Sequence, residues 1–361
     1  MAAMQAESRI GALWQQRMDA LKEYDIVRDG NVFRAGLVGS CVFSSEYDRA
    51  RTLLSELIDR YDGVEFDTLF PGREIENDGG SCIALESRHS LTPATIDYGR
   101  LAQEMLSDLT LVHGVGEVSE RQLKTRGYHT IADLLGHPKF RYAARQVLER
   151  LTRADPADVI DLVGNRHTKS HPFALGTAGS FEPGDYVFLD IETLGLFSRP
   201  IILFGVGTIE QSCLVVRQYL LRDISEEAAA LFATAEQCSG QRPALVTFNG
   251  KAFDLPYVQD RLAYYGLGAI PRIPHFDILH FSRRRWKGQF PSCRLSTLES
   301  AVLGVARADD VPGQMVPEFY ETYQRTQNCG PLVPIVGHNR QDVVSLARLF
   351  FYLLGETCGC R

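Results

Sequence analysis

The sequence lacks the features that would place the chain in a membrane or in an oxidising compartment. Its longest strongly apolar tract, residues 201–207, is far too short to cross a bilayer. The N-terminal residues show no basic segment followed by an apolar stretch, so no secretory leader is predicted. The eight cysteines have no Cys-x-x-Cys spacing, which favours reduced thiols over disulfides or a zinc site. We therefore expect a cytoplasmic protein with no membrane partner.

Internal repeats, low-complexity tracts and an excess of basic charge are missing as well. The net charge is −7, and 45% of the 361 residues are apolar, which is enough for two ordinary globular domains. Basic residues are instead concentrated locally. Residues 114–153 carry eight bases against four acids, and residues 272–294 carry six bases against one acid. A protein with an acidic active site can still bind nucleic acid through such patches.

Four carboxylates lie in three separate segments that are expected to meet at one point. Asp190 and Glu192 lie in the apolar segment 186–196, and residues two apart in an extended strand project from the same face. Asp254 follows a second apolar strand, 244–248, and a glycine turn, at the predicted start of a helix that has Pro256 in its first turn. Residues 337–354 form a predicted amphipathic helix that places His338 and Asp342 one turn apart on one face.

Taken singly, each acid also has an ordinary explanation as a strand end, a helix cap or a solvated side chain. Asp190 fits such an explanation least well, because it follows a buried apolar strand where an unpaired charge is costly. Several clustered acids with a histidine suit hard divalent cations and the phosphate chemistry that these ions catalyse.

Three short motifs resemble those of a known family. FLDIET and FNGKAFD are similar to the first and second motifs of the DEDD exonucleases, relatives of polymerase proofreading subunits with a ribonuclease-H-like fold. HNRQD has the spacing of the third motif in the form that usually carries tyrosine four residues before the last Asp, and this chain has His338 there. The segment NDGGSCIALE and the residues 275–299 and 309–320 resemble the YprB-type group of predicted bacterial nucleases.

The resemblance implies a two-metal phosphodiesterase. Two Mg²⁺ or Mn²⁺ ions would be held by four carboxylates, with the first of them bridging the ions: Asp190, Glu192, Asp254 and Asp342. His338 would orient or deprotonate the attacking water, since a neutral imidazole with an ordinary pKa of about 6.5 accepts a proton near neutral pH. On this interpretation activity falls below about pH 6. A packed or solvated histidine is the alternative.

Residues next to the motifs are expected to contact the substrate. Thr193 and Leu194 would line a nucleotide pocket, although a simple strand-to-loop exit explains them equally well. Asn249 would touch the terminal nucleotide or form the turn before Gly250. Residues 307–334 are predicted to be a long loop that covers the site.

Two further segments are candidates for holding a nucleic-acid backbone. Residues 109–135 resemble a helix-hairpin-helix with Gly114 and Gly116 in the hairpin, where exposed amides could contact phosphates without reading sequence. Glu120 stands where such motifs usually have a small residue, and a structural or protein-docking helix pair is the alternative. The second segment combines positive charge with an aromatic ring, as do the channels of proteins that bind single-stranded nucleic acid. Its residues are Arg283, Arg284, Arg285 and Trp286. Its alternative is a solvated helix end with the tryptophan in the core.

The order of predicted elements indicates an α/β fold with a mixed sheet flanked by helices, preceded by a mainly helical N-terminal region. The resemblance implies that this sheet is ribonuclease-H-like. Strands are expected at 186–190, 201–209, 213–220 and 244–248, and helices at 8–24, 45–61, 225–238, 255–265, 277–287 and 340–354. Strand-like pieces are expected near 64–70 and 81–86. Composition divides the chain into an N-terminal α+β region (1–108), a helix-hairpin-helix region (109–163), a linker (164–184) and an exonuclease domain (185–361).

The sequence thus predicts a metal-dependent 3′→5′ exonuclease that hydrolyses phosphodiester bonds of nucleic acid, with DNA favoured over RNA. A structure-specific endonuclease of the same fold is one alternative, and a non-catalytic nucleic-acid-binding protein is another. The intact set of four acids counts against the last, because a binding protein gains nothing from clustering them.

Overall fold

The computed structural model describes residues 40–93, 98–153, 155–168, 170–195, 198–307 and 311–358, and the helix predicted over 8–24 lies outside them. The strands are β1 (Arg73–Asn77), β2 (Gly80–Ser90), β3 (Tyr186–Thr193), β4 (Ile201–Glu210), β5 (Cys213–Leu220), β6 (Ala244–Thr247) and β7 (His275–Asp277). The α-helices are α1 (Ser40–Arg60), α2 (Phe66–Leu69), α3 (Tyr98–Leu106), α4 (Glu117–Thr125), α5 (Arg141–Arg153), α6 (Pro156–Gly164), α7 (Pro172–Gly176), α8 (Glu227–Gln237), α9 (Asp254–Tyr264), α10 (Ile278–Trp286), α11 (Leu295–Leu298), α12 (Val316–Thr326) and α13 (Leu332–Cys358).

One mixed sheet organises the described residues, with the strand order β1-β2-β5-β4-β3-β6-β7. Neighbouring strands from β1 to β3 are antiparallel, whereas β6 and β7 run parallel to β3. Apolar runs form β3 to β6 because the sheet is covered on both faces, so both sides of a strand need apolar residues. The predicted mixed sheet flanked by helices is confirmed.

The N-terminal region contributes a hairpin to this sheet. β1 and β2 are joined at Asp78 and Gly79, and β2 pairs along its length with β5. A Cβ atom at Gly79 would overlap the main chain of Ala228, so the turn requires glycine where it passes α8. The strand expected near 64–70 is wrong, because residues 66–69 form the short helix α2 and the strand begins at Arg73. The division of the chain at residue 108 stays a prediction, but the hairpin before it belongs to the sheet.

Helices cover the two faces of the sheet. One face packs against α1, α8, α9 and α12, and the other packs against the C-terminal half of α13 and the helical region from α3 to α7. The segment 164–184, predicted as a linker, contains α7 and buries Leu175, Ala178 and Phe181 in that second core. It is therefore packed rather than extended, because its apolar residues have a surface to cover.

The long helix α13 positions the third motif. It begins at Leu332, earlier than predicted, and crosses β3, β4 and β5. The predicted long loop over 307–334 is also corrected: residues 316–326 form α12, whose Phe319 and Tyr320 are fully buried. Within the described residues, no helix is both long enough and apolar enough to cross a membrane.

Candidate active site

Asp190 lies on the central strand β3 and is held in place from α13. The Nδ2 group of Asn339 donates to Asp190 Oδ2 at 2.8 Å and to the Asp190 carbonyl oxygen at 3.2 Å. Gln218 on β5 donates in turn to Asn339 Oδ1 at 2.8 Å. Both amides are buried, so this chain of hydrogen bonds fixes the carboxylate relative to two strands and one helix.

Glycine in β4 allows this approach. Gly205 pairs with Asp190 on one side and Gln218 on the other, and a Cβ atom there would overlap the Asn339 amide. Sequence reasoning missed Asn339, Gln218 and Gly205. Their signals were an Asn inside HNRQD, an isolated polar residue in the apolar β5 and a Gly-x-Gly within the apolar β4.

The other candidate residues act electrostatically on Asp190. Burial raises the pKa of Asp190 well above its usual range, and the nearby charges of three carboxylates, Asp342, Asp254 and Glu192, raise it further. The positive charge of His338 opposes this rise in pKa. The structure therefore brings together all five residues that the three motifs predicted, around one carboxylate at the end of β3.

Asp254 is placed by the turn that precedes α9. Asn249 adopts a left-handed backbone conformation with φ of 70°, and its amide donates to Asp277 Oδ1 at 2.8 Å. The amide of Lys251 donates to Asp277 Oδ2 at 3.1 Å, so this buried acid, which the sequence did not reveal, organises the turn. Asn249 thus has the turn-forming role that was one of its two interpretations. Burial raises the pKa of Asp254 to about 8, although the amide of Ile191 donates to its carboxylate.

His338 and Asp342 lie one turn apart on α13, as predicted, and share a third partner. The Nε2 atom of His338 is 3.4 Å from Asp342 Oδ2. The guanidinium of Arg307 donates to Asp342 Oδ1 and lies 3.2 Å from His338 Nδ1. Glu299, fully buried, accepts from Arg307 Nε. Nothing in the sequence marked Arg307 or Glu299, since neither belongs to a motif.

The donor set fits divalent cations in its chemistry. All four carboxylates offer hard oxygen ligands, and burial, followed by the charges of neighbouring carboxylates, raises the pKa values of Asp190 and Asp254. Among the residues described here, no group of three or more His, Cys, Asp or Glu side chains is arranged, as it stands, to hold a metal ion. Arg307 contacts Asp342, one of these four carboxylates.

The residues that follow Glu192 are held by a buried network. Thr193 Oγ1 donates to the Gly195 carbonyl at 2.9 Å, and the amide of Leu194 donates to the Pro200 carbonyl at 3.0 Å. Tyr257 on α9 donates to the same Gly195 carbonyl at 3.0 Å. Thr193 and Leu194 therefore end the strand in a fixed loop beside the site, and their contact with a nucleotide stays a prediction.

Part of the chain is similar to a known family. Residues 187–354 match the family model described as RNase_H superfamily. This domain has a ribonuclease-H-like fold. The chain is also similar to a protein of Bacillus subtilis (strain 168) named Uncharacterized protein YprB, with 33% identity over 182 residues, which is 49% of this chain and 44% of that protein. The matched part thus spans less than half the length of that curated relative.

The predicted helix-hairpin-helix segment, residues 109–135, has acidic residues at the start of α4 that its glycines alone did not reveal. Gly114 has a φ of 84°, and Gly116 caps α4. The first turn of α4 carries Glu117 and Glu120, so this helix end already has negative charge near its amides. Glu120 Oε1 accepts from the amide of Leu109 at 3.2 Å and from Lys124 at 2.8 Å, which gives it a structural role.

The basic segment of α10 is divided between core and surface. Trp286 is 4% exposed and packs against Phe290 and Tyr352, so its ring is not available for base stacking, and this assignment is corrected. Arg285 forms an ion pair with Glu356 at 2.8 Å. Burial is the main cause that lowers the pKa of the His171 imidazole to about 4. Arg284 is exposed, and its charge is close enough to His171 to help lower that pKa. Arg283 and Arg284 remain proposed substrate contacts.

Proposed function

We propose that the chain is a metal-dependent 3′→5′ exonuclease that hydrolyses phosphodiester bonds of nucleic acid. The observation that supports this proposal is the proximity of Glu192, Asp254 and Asp342 to the half-buried Asp190, close enough for their charges to raise its pKa. Clustered carboxylates without enough compensating cations are costly in a stable fold. The ribonuclease-H-like fold supports a nuclease in coarser terms, and the spacing of the motifs supports the exonuclease assignment.

The carboxylates of Asp190, Glu192, Asp254 and Asp342 would hold two divalent cations, Mg²⁺ or Mn²⁺. When bound, such ions stabilise the attacking and the leaving oxygen of a phosphodiester during hydrolysis. Asn339 keeps Asp190 directed into the site, and Asp277 keeps the turn before Asp254 in place. His338 would orient the attacking water or accept its proton at the ring nitrogen that does not donate to Asp342.

We assign the holding of the nucleic-acid backbone to the basic surfaces. On α5, Arg141 and Arg145 are exposed one turn apart on the same face, and Arg284 is exposed on α10. Phosphate contacts of this kind bind DNA or RNA without reading sequence. The acids at the start of α4 disfavour a phosphate at the helix end itself, so Gly114 and Gly116 would act by letting the backbone approach rather than by a favourable helix dipole.

A digestion series tests the activity. End-labelled single- and double-stranded DNA and RNA, linear and circular, are incubated with Mg²⁺, Mn²⁺ or chelator. The proposal expects stepwise release of mononucleotides from 3′ ends of linear DNA, and loss of activity in chelator. Asp190→Ala should lower the rate by about 10²–10³-fold or more, as the loss of one preorganised stabilising group does. Cleavage of circles would favour the endonuclease, and metal-independent binding with no cleavage of any substrate would favour a non-catalytic binding protein.

A further inference from the structure

The positively charged side chain of Arg307 contacts the carboxylate site. Arg307 follows the π-helical turn formed by residues 299–303 and reaches the face of α13 that carries the third motif. Its Nη2 group donates to Asp342 Oδ1, and Nη1 is 3.2 Å from Nδ1 and 3.4 Å from Nε2 of His338. The guanidinium therefore contacts two residues to which the proposed reaction assigns a role.

Glu299 anchors this guanidinium from behind. Its side chain is fully buried, and its Oε2 atom accepts from Arg307 Nε at 2.5 Å. Its Oε1 atom is also buried and has no hydrogen-bond partner within the part of the chain that the structure describes. A carboxylate in this situation is costly unless its cation stays close. The Arg307 side chain is only 12% exposed, so the positive charge is fixed at the Asp342 end of the site.

Both carboxylate oxygens of Asp342 are engaged as a result. Oδ1 accepts from Arg307, and Oδ2 faces His338 Nε2 at 3.4 Å. The imidazole is engaged too: if Nε2 carries the proton toward Asp342, then Nδ1 is the acceptor that faces Arg307. Metal coordination through Oδ1 of Asp342 and proton abstraction at Nδ1 of His338 would therefore each compete with a contact of the guanidinium.

We propose that Arg307 competes with divalent cations for Asp342. This inference rests on the proposed function, because it concerns the same carboxylates. Electrostatics gives the sign of the effect, since a guanidinium offsets the charge of the carboxylate and repels an incoming divalent ion. An arginine that merely supported the fold would give the opposite sign, because its loss would leave Asp342 poorly oriented and weaken binding.

The test is calorimetric titration of the full chain with MnCl₂, which does not depend on turnover. Arg307→Gln removes the charge and should bind Mn²⁺ about tenfold more tightly than the wild type. Arg307→Lys keeps the charge and should stay within about threefold of the wild type. Unchanged or weaker binding by Arg307→Gln would overturn the inference, as would an Arg307→Lys affinity equal to that of Arg307→Gln.

A matched control separates the loss of this arginine from the loss of any arginine that joins two carboxylates. Arg222 also joins two carboxylates, Glu74 at 2.7 Å and Glu226 at 2.6 Å, beside the edge hairpin of the sheet. Arg222→Gln should leave Mn²⁺ affinity unchanged, and an equal gain in that variant would also overturn the inference. Thermal unfolding in chelator establishes that each variant is folded.

The same titration distinguishes this inference from the proposed function. Asp190→Asn should abolish Mn²⁺ binding if the carboxylates form the metal site. If the wild type shows no binding that depends on Asp190, the proposed function fails. If the wild type shows such binding and Arg307→Gln does not strengthen it, the proposed function stands and the role of Arg307 fails.

Discussion

Two groups of buried charge lie in the same domain and are organised in opposite ways. The first joins Glu227 on α8 to Arg261 on α9, with side chains 0% and 5% exposed. Both oxygens of Glu227 are satisfied: Oε1 accepts from the amide of Ile201 and from Arg261 Nε, and Oε2 accepts from Arg261 Nη2 and Tyr265. The second group is the carboxylate site around Asp190, where burial and then the charges of the neighbouring acids raise the pKa of Asp190.

The difference separates a structural from a functional use of charge. In the first group each charge has a counter-charge and hydrogen bonds, which is the condition under which a buried ion pair is tolerated. Arg261 Nη1 also donates to the Ser198 carbonyl at 3.1 Å, so the pair helps to hold the loop after β3. The second group contains four acids, and the positive charges near them are those of Arg307 and, when it is protonated, His338. Because the acids outnumber these charges, the site favours a positively charged ligand.

The largest expected effect comes from breaking the satisfied pair. Glu227→Ala should lower the free energy of unfolding by about 3–5 kcal/mol, because it leaves Arg261 buried without its counter-charge. Urea denaturation of the metal-free protein measures this change. Glu86→Ala is the matched control, since Glu86 pairs with Arg88 and Arg217 but is 44% exposed, and it should cost at most about 1 kcal/mol. Equal effects of the two substitutions would show that burial is not what makes the first pair important.

The carboxylate site should respond to pH instead. Asp254 has a folded-state pKa of about 8, and that of Asp190 is also raised, whereas both carboxyls ionise near pH 4 in the unfolded chain. Between these values the folded state binds more protons at these two carboxyls, so their contribution to the stability of the metal-free chain should fall as pH rises from about 4 to about 8. Burial lowers the pKa of His171 to about 4 and that of His275 to about 3, and these groups act in the opposite direction below about pH 6.5, so the net fall should appear between about pH 7 and about pH 8. Thermal unfolding in chelator measures the fall.

Divalent cations should oppose this loss, because a ligand that binds the folded state stabilises it by mass action. Added Mg²⁺ or Mn²⁺ should raise the melting temperature more at pH 8 than at pH 5. Asp190→Asn removes one of the raised groups, so it should reduce both the slope with pH and the stabilisation by metal. A melting temperature in chelator that rises steadily from pH 5 to pH 8 would contradict the electrostatic account of the site.

What could be predicted from sequence was local in origin. The apolar runs of β3 to β6 and the spacing of His338 and Asp342 follow from the chain itself, because period and burial leave a direct signature. Asp190 was recognisable because a charge at the end of an apolar strand conflicts with its surroundings. The site could therefore be predicted where its residues conflict with the local sequence pattern, as a charged residue next to an apolar strand does.

What could not be predicted depends on partners far away in sequence. The β1–β2 hairpin joins the sheet through β5, more than a hundred residues later, and no periodicity announces such a pairing. The contact of Arg307 with Asp342 spans 35 residues and follows from the packing of α13 against the turn at 299–303. The sequence left Trp286 open between a surface aromatic and a core residue, because the ring of Tyr352, which helps to cover it, lies on another helix.

The smallest expected effect distinguishes His338 from the tyrosine usual at this place in the motif. His338→Tyr should keep a rate within about tenfold of the wild type at pH 8, because either side chain can orient a water. An imidazole with an ordinary pKa of about 6.5 loses its acceptor below pH 6, whereas a phenol near 10 does not titrate there. The wild-type rate should therefore fall below about pH 6 more steeply than the rate of the variant.

His129→Gln, at an exposed histidine in the helical region, is the control and should follow the wild-type profile. Parallel profiles for wild type and His338→Tyr would mean that the acid limb belongs to the carboxylates, whose protonation competes with metal in both proteins, and His338 would then act through orientation alone.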